Sequence, residues 1–402
     1  MMLTRRSFFQ SSAATCLAAG RAAGAPGMQP YRIRFSSNQI RELRRRLAGT
    51  RWPEMPFETG WAAGISDSFL RELFEYWRGR FDWLAAERRL NQLTHVRGLI
   101  GGEQMHAVVM RADPARRAPF PVVFLHGWPS SFLEFTAAGE LIRRGRPGGP
   151  GFDVVIPSLP GFVFSESPRQ PGMNMAAVAD RIHQLMAALG YERFAVHGTD
   201  FGILAALALC RRHAGSITAL QLQDAPQVDP LPEGPRSPLE AEFFARRQRL
   251  RETASAYRQI QTARPQTLGY ALHDSPLGLL AWLTEKFWEW GGHGDDFWGT
   301  FERDSLLTNV TLYWLTGCIL PSMRYYWENR PLRIDVTGEP LRMPTGILLP
   351  LRDPWSKPRS LADLRLFGNL KQVEESPTGG HFFAWEQPQA FAAEVIRFLE
   401  KL

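Results

Sequence analysis

The chain has 402 residues, 44% of them hydrophobic and 22% charged, which allows a sizeable buried core and excludes wholesale disorder. Its formal charge of +7 comes almost entirely from arginines scattered among acids, as in Arg41–Arg46 with Glu42 and Arg246–Arg251 between Glu242 and Glu252. Such solvated helix faces lack the continuous basic stripe with stacking aromatics that nucleic-acid binding uses, so no nucleic-acid partner is expected.

At the N-terminus, Thr4-Arg5-Arg6-Ser7-Phe8-Phe9 places a twin arginine ahead of a mildly apolar run from Ser11 to Gly20. Ala22 to Gly27 then offers small residues suited to a signal peptidase. Residues 1–27 read as an export signal of the twin-arginine (Tat) type, which predicts a periplasmic location. The apolar run is too short for a spanning helix, which needs roughly 20 residues, and no later segment qualifies, so no stable membrane anchor is expected. Cys16 falls in this address region. Cys210 and Cys318 sit in apolar surroundings and read as buried thiols, with one disulfide between them left open. No His, Cys or acid spacing suits a metal, and neither metal nor cofactor is expected.

From Tyr31 to about Leu99 the pattern reads as helical and polar-faced. Asn38 to Leu47 forms one amphipathic helix, and Ser66 caps a second that runs through Leu73 and Tyr76. Trp52, Trp61, Trp77 and Trp83 in this region read as packing. The rhythm then changes to short apolar runs separated by helical stretches: Val108–Met110, Val122–Leu125, Val154–Ile156, Phe194–Val196, Ile217–Leu222, Ile347–Leu349 and Leu370–Val373. Strands alternating with helices predict an α/β class with a mostly parallel, doubly wound sheet.

Between about Pro230 and Arg330 the strands stop, and long helical patterns such as Glu240–Gln259 and Leu306–Trp314 take over. A helical insertion in such a sheet predicts a lid over the carboxyl edge of the strands, where ligands bind. The expected organisation is a signal at 1–27, an N-terminal segment at 28–105, a core in two parts at 106–229 and 335–402, and a helical lid at 230–334.

The chemistry centres on Gly198-Thr199-Asp200-Phe201-Gly202, which follows a strand and opens a small-residue helix, the context of a nucleophile elbow. Asp200 stands where the commoner elbows carry serine. A carboxylate needs no base to activate it and suits attack on an electrophilic sp3 carbon, giving an alkyl ester that water must then hydrolyse. That second step needs a base and an oxyanion hole. His381, in Gly379-Gly380-His381-Phe382 after the last strand, is the base. Asp353, after Ile347–Leu349, is the favoured orienting acid, with Asp224 at the end of Ile217–Leu222 as its rival. His126-Gly127-Trp128-Pro129 follows Val122–Leu125, so the backbone N–H groups of Trp128 and Phe201 are the expected oxyanion donors. Opening a strained ring also needs an acid, and a tyrosine phenol fits, but the residues alone do not choose among the lid tyrosines.

Taken together, these stretches resemble the microsomal-type epoxide hydrolases, which include the juvenile-hormone epoxide hydrolases. The resemblance rests on Thr50-Arg51-Trp52-Pro53, Tyr76-Trp77 with Phe81-Asp82-Trp83, His126-Gly127-Trp128-Pro129, and Ser158-Leu159-Pro160-Gly161-Phe162. The lid adds Ala271-Leu272-His273-Asp274-Ser275-Pro276 and Leu306-Leu307-Thr308-Asn309-Val310, and Gly379-Gly380-His381-Phe382 closes the set. It implies an α/β-hydrolase fold, an N-terminal segment wrapping the core, and a triad of Asp200, Asp353 and His381. It also implies Tyr257 and Tyr326 as the ring-opening pair, and a hydrophobic epoxide and water as the reactants. The chain departs from the family in carrying Phe201 where members usually have tryptophan. Two other readings compete. A haloalkane dehalogenase shares the aspartate nucleophile, but commonly uses an indole beside it to hold the halide. A non-catalytic binder of apolar ligands would need no triad.

Overall fold

Most of the apolar runs become the centre of one sheet, because strands covered on both faces carry few polar side chains, while Leu370–Val373 forms its half-exposed edge. The computed structural model describes residues 27–114, 120–330 and 338–402, so the export signal read at 1–27 lies outside the described residues but for Gly27. The strands are β1 (Met28–Tyr31), β2 (His95–Ile100), β3 (Glu103–Met110), β4 (Phe120–Leu125), β5 (Phe152–Pro157), β6 (Phe194–Gly198), β7 (Ile217–Gln223), β8 (Thr345–Pro350) and β9 (Leu370–Ser376). They lie in the order β1-β2-β3-β5-β4-β6-β7-β8-β9. From β5 to β9 the neighbours run parallel; β1, β2 and β3 form an antiparallel edge. Every residue of β5 and β8 is buried.

Two expectations need correction. The segment from Tyr31 to Leu99 is not wholly helical: its ends supply β1 and β2, and the 105/106 boundary falls inside β3. Its β-strands were hidden because His95–Ile100 is short, contains a glycine and is half-exposed. The stretch Glu240–Gln259 is also not one helix. It divides into Pro238–Arg249, a wide π turn at Leu250–Ala254 and a new helix Ala256–Ala263, the one that carries Tyr257.

The N-terminal helices form where their caps and stripes predict. Ser36 and Gln39 make a reciprocal capping box for Ser37–Ala48, and the Ser66 hydroxyl accepts the Phe69 N–H at the start of Asp67–Gly79. The latter helix buries Leu70, Leu73, Phe74 and Trp77. It faces the lid: the Trp77 indole donates to Thr311 Oγ1 at 3.0 Å, Tyr76 donates to Asp304 at 2.9 Å, and Trp61 stacks on Trp288 at 4.0 Å. The segment therefore acts as a strap that fixes the lid helices, Pro238–Arg249 through Ile319–Glu328, over the sheet. Cys210 and Cys318 are both free and buried. No helix among the described residues is long and apolar enough to cross a membrane.

Candidate active site

Asp200 sits between β6 and the helix Phe201–Arg212 with φ +49° and ψ −121°, a conformation that L residues adopt only when their surroundings impose it. Two glycines impose it here. A Cβ at Gly202 would lie 1.9 Å from the Leu125 carbonyl oxygen, so only glycine lets the helix press against β4. A Cβ at Gly127 would lie 2.2 Å from Asp200 Oδ1, so only glycine lets the neighbouring loop approach the carboxylate. The result is an aspartate raised at the carboxyl edge of the sheet, side chain in the cavity.

The three expected triad members meet there. His381 Nε2 lies 3.6 Å from Asp200 Oδ2, and His381 Nδ1 lies 3.1 Å from Asp353 Oδ2. Because a carboxylate only accepts, Nδ1 carries the proton and the Nε2 side faces Asp200. Asp353 is 3% exposed and its other oxygen accepts the Trp355 N–H at 2.9 Å, which locks its orientation. Burial alone lowers the His381 pKa, but the Asp353 and Asp200 carboxylates outweigh it and hold the imidazole well above its ordinary value. Asp224 does not join this set. It bonds the Lys357 ammonium at 2.6 and 2.7 Å, and Lys357 also reaches the Ala225 carbonyl.

Trp128 N–H donates to Asp200 Oδ1 at 2.9 Å. Phe201 N is the first amide of its helix, where an N–H has no intrahelical acceptor. His126 does not face the chemistry. Its Nε2 accepts the Leu159 N–H at 3.2 Å, so its Nδ1 donates to the Gly127 carbonyl at 3.0 Å, and burial lowers its pKa to about 4. It is a neutral brace for the turn.

Tyr257 and Tyr326 come from two lid helices, Ala256–Ala263 and Ile319–Glu328, to the same cavity as Asp200. That cavity, about 200 Å³, is also lined by Phe201, Gln223, Asp353, Trp355 and His381. The two phenol rings meet edge to face at 5.9 Å. Trp128 stacks on Tyr257 at 5.7 Å and Phe201 meets Tyr326 at 4.7 Å. Burial first, and the Asp200 charge with it, push both phenols above their ordinary value, so both stay protonated donors.

Several site residues escaped the sequence reading. The Trp290 carbonyl accepts the His381 N–H at 2.9 Å, and its ring lies 5.2 Å from the imidazole. Glu386 accepts the N–H groups of Gly292, Gly380 and Phe382 at 2.9, 2.6 and 3.0 Å, joining the lid to the histidine loop. Gln223 Nε2 donates to the His381 carbonyl at 2.7 Å. Trp290 and Gln223 reach the histidine loop from distant parts of the chain, and Glu386 pairs two N–H groups of its own loop with that of distant Gly292, so none announces its role in a short run of residues. Asn309 did lie in a motif noted above, and its purpose is now visible: it accepts from Ser131 Oγ and donates to the Pro129 carbonyl, tying the lid to the loop of Trp128.

With this geometry in view, likeness to known proteins becomes informative. Residues 28–135 match the family described as Epoxide hydrolase N terminus, and residues 121–388 match the alpha/beta hydrolase fold. A Stigmatella aurantiaca protein assigned by name to the epoxide hydrolases is 36% identical over 94% of this chain and 86% of its own length. The juvenile hormone epoxide hydrolase of Bombyx mori is 30% identical over 92% of this chain and 86% of its own. The chain belongs to the epoxide hydrolase family of the α/β-hydrolase fold. The structure of Aspergillus niger epoxide hydrolase superposes with a TM-score of 0.83 at 28% identity, covering 94% of this chain and 98% of that one. The likeness of this epoxide hydrolase to that structure thus extends over most of the chain.

Proposed function

We propose that this chain hydrolyses a hydrophobic epoxide to a vicinal diol through a covalent ester on Asp200. The observation that carries the reading is the pair of buried phenols, Tyr257 and Tyr326, sharing one cavity with an aspartate whose other neighbours are a histidine–aspartate pair and a backbone donor. An Asp200 oxygen attacks one ring carbon; the carbon–oxygen bond to the ester forms as the ring carbon–oxygen bond breaks. The departing oxygen takes a hydrogen bond and then a proton from the tyrosine pair, which lowers the cost of an alkoxide leaving group. His381 then takes a proton from water while the hydroxide attacks the ester carbonyl carbon. Asp353 stabilises the imidazolium, and the Trp128 and Phe201 N–H groups receive the oxyanion. Collapse breaks the carbonyl carbon–oxygen bond of the ester; the imidazolium gives its proton to the departing diol oxygen, and the proton left on the Asp200 carboxyl returns to the tyrosine pair, which restores the carboxylate. Esterification removes one of the two negative charges that favour the imidazolium, so more of His381 is neutral and able to take a proton at the moment water must be activated.

The phenol pair favours an oxygen leaving group over a halide, and Phe201 offers no indole to hold a halide. Single turnover in 18O water tests the scheme: label is expected in the Asp200 carboxylate, and no turnover is expected from Asp200→Ala. Label in diol alone would instead mean direct attack by water. We further infer export to the periplasm as a folded enzyme, supported by the twin arginine Arg5-Arg6 and the small residues up to Gly27, with clearance of reactive epoxides as its role. Fractionation with and without Arg5→Lys and Arg6→Lys tests this.

A further inference from the structure

Glu134 is a carboxyl group that the scheme above does not use, yet it lies close to the reacting atoms. It sits in the short helical turn Phe132–Phe135 after the Trp128 loop and is 2% exposed. Ser130 Oγ contacts two oxygens at once: the Gly127 carbonyl at 3.2 Å and Glu134 Oε2. A hydroxyl has one proton to give and a carbonyl none, so both contacts are hydrogen bonds only if the Glu134 carboxyl supplies the second proton. Its other oxygen, Oε1, is buried with no hydrogen-bond partner among the described residues, which suits a neutral carboxyl and would penalise a carboxylate heavily.

The Gly127 carbonyl and the Trp128 N–H belong to one peptide plane, so orienting one end orients the other. We propose that Glu134 is a positioning residue that acts as a proton-bearing brace for the oxyanion hole, through Ser130 Oγ–H to the Gly127 carbonyl and thence to the Trp128 N–H. With the proton on Glu134, the carboxyl donates to Ser130 Oγ, Ser130 Oγ–H donates to the Gly127 carbonyl at 3.2 Å, and Trp128 N–H donates to Asp200 Oδ1 at 2.9 Å. Each bond in such a chain polarises the next. Loss of the Glu134 proton would turn the Ser130 hydroxyl toward the new carboxylate and leave the Gly127 carbonyl to His126 alone.

The surroundings fix the direction of the pH effect. Burial raises the Glu134 pKa to about 8; the Ser130 hydrogen bond and the His381 charge lower it, and Asp200 and Glu386 raise it. Arg89 on the strap and Glu302 at the start of a lid helix line the outer cavity on which Glu134 borders. The brace is therefore intact at pH 7 and lost as pH rises through about 8.

This inference rests on the ester mechanism proposed above, and its test separates the two. Rapid-quench single turnovers, with the Asp200 ester followed by mass spectrometry from pH 6 to 10, resolve ester formation from ester hydrolysis. For the parent, hydrolysis is expected to fall on an alkaline limb near pH 8 while formation does not. Glu134→Gln, which keeps a donor but cannot titrate, is expected to lack that limb. Ser130→Ala is expected to slow hydrolysis about ten-fold at every pH, the effect of a loosened oxyanion donor, with ester formation within about two-fold. The retained ester formation shows that each variant folds. An unchanged alkaline limb in Glu134→Gln, or equal slowing of both steps in Ser130→Ala, overturns the brace and leaves the ester mechanism standing. Absence of any Asp200 ester in the parent overturns both.

Discussion

The sheet side and the lid side of the cavity hold their chemical groups by opposite means. On the sheet side, Trp128, Asp200, Asp353 and His381 each lie just past the carboxyl end of a strand, on backbone that the neighbouring glycines and hydrogen bonds force into place. On the lid side, Tyr257 and Tyr326 sit on ordinary helical backbone, and nothing local marks them. Their position comes from packing: Trp77 on Thr311, Asn309 on Pro129, and the Tyr313 and Tyr325 hydroxyls on the Ser130 and Pro160 carbonyls at 2.8 Å. The division of structure suggests a division of labour. In the mechanism proposed above, ring opening falls to the lid and ester hydrolysis to the strand ends, so mutation should slow one step without the other.

The largest expected effect is on the sheet side. Asp353→Asn removes the anion that orients His381 and stabilises its cation, so ester hydrolysis should fall by about 10³–10⁴-fold while the ester still forms and accumulates. Rapid quench with peptide mass spectrometry reads this directly. Asp224→Asn, by contrast, should weaken thermal stability through Lys357 without trapping ester; an ester trapped there instead would return Asp224 to the catalytic role. On the lid side, Tyr257→Phe and Tyr326→Phe should each slow ester formation by about 10- to 100-fold, because one phenol remains to assist the leaving oxygen. Stopped-flow fluorescence would follow that step, and an equal loss in ester hydrolysis would break the separation of the two sides.

A smaller effect concerns pH and stability. The His381 pKa in the folded protein lies above its unfolded value near 6.5, because Asp353 and Asp200 favour the cation over the cost of burial. Its contribution to stability is therefore complete below about pH 6.5 and disappears as pH rises through the folded value. The urea midpoint of the parent should accordingly fall from pH 6 to 9 by more than that of Asp353→Asn. Parallel curves would show that the imidazole gains nothing from its partners.

Much of the site was legible because strand-end chemistry is local. The elbow needs glycine on both sides of Asp200, the histidine follows the last strand, and a tight turn at His126-Gly127 precedes the oxyanion donor; each leaves a short signature. The sequence leaves both Asp353 and Asp224 as candidates for the orienting acid, since both follow strands that end beside the cavity. The choice was decided by Lys357, whose ammonium occupies Asp224 and leaves Asp353 to the imidazole. Strands β1 and β2 leave no such signature: β1 is four residues long with a proline, β2 is short and half-exposed with a glycine, and neither has a continuous apolar run or a clean alternation.

By itself the sequence determined the parallel core, the helical lid, the candidate nucleophile and the candidate base, because these depend on periodicity and on turns a few residues long. Residues that act across the fold were decided only by tertiary structure. Tyr257 and Tyr326, which the resemblance implied, are brought from two lid helices to one cavity, and Glu386 joins the distant Gly292 N–H to those of its own loop, whereas the Glu134–Ser130–Gly127 chain is short in sequence and only its burial is set by packing. Hydrogen-bond direction and burial depend on three-dimensional neighbours, and no local run of residues encodes them.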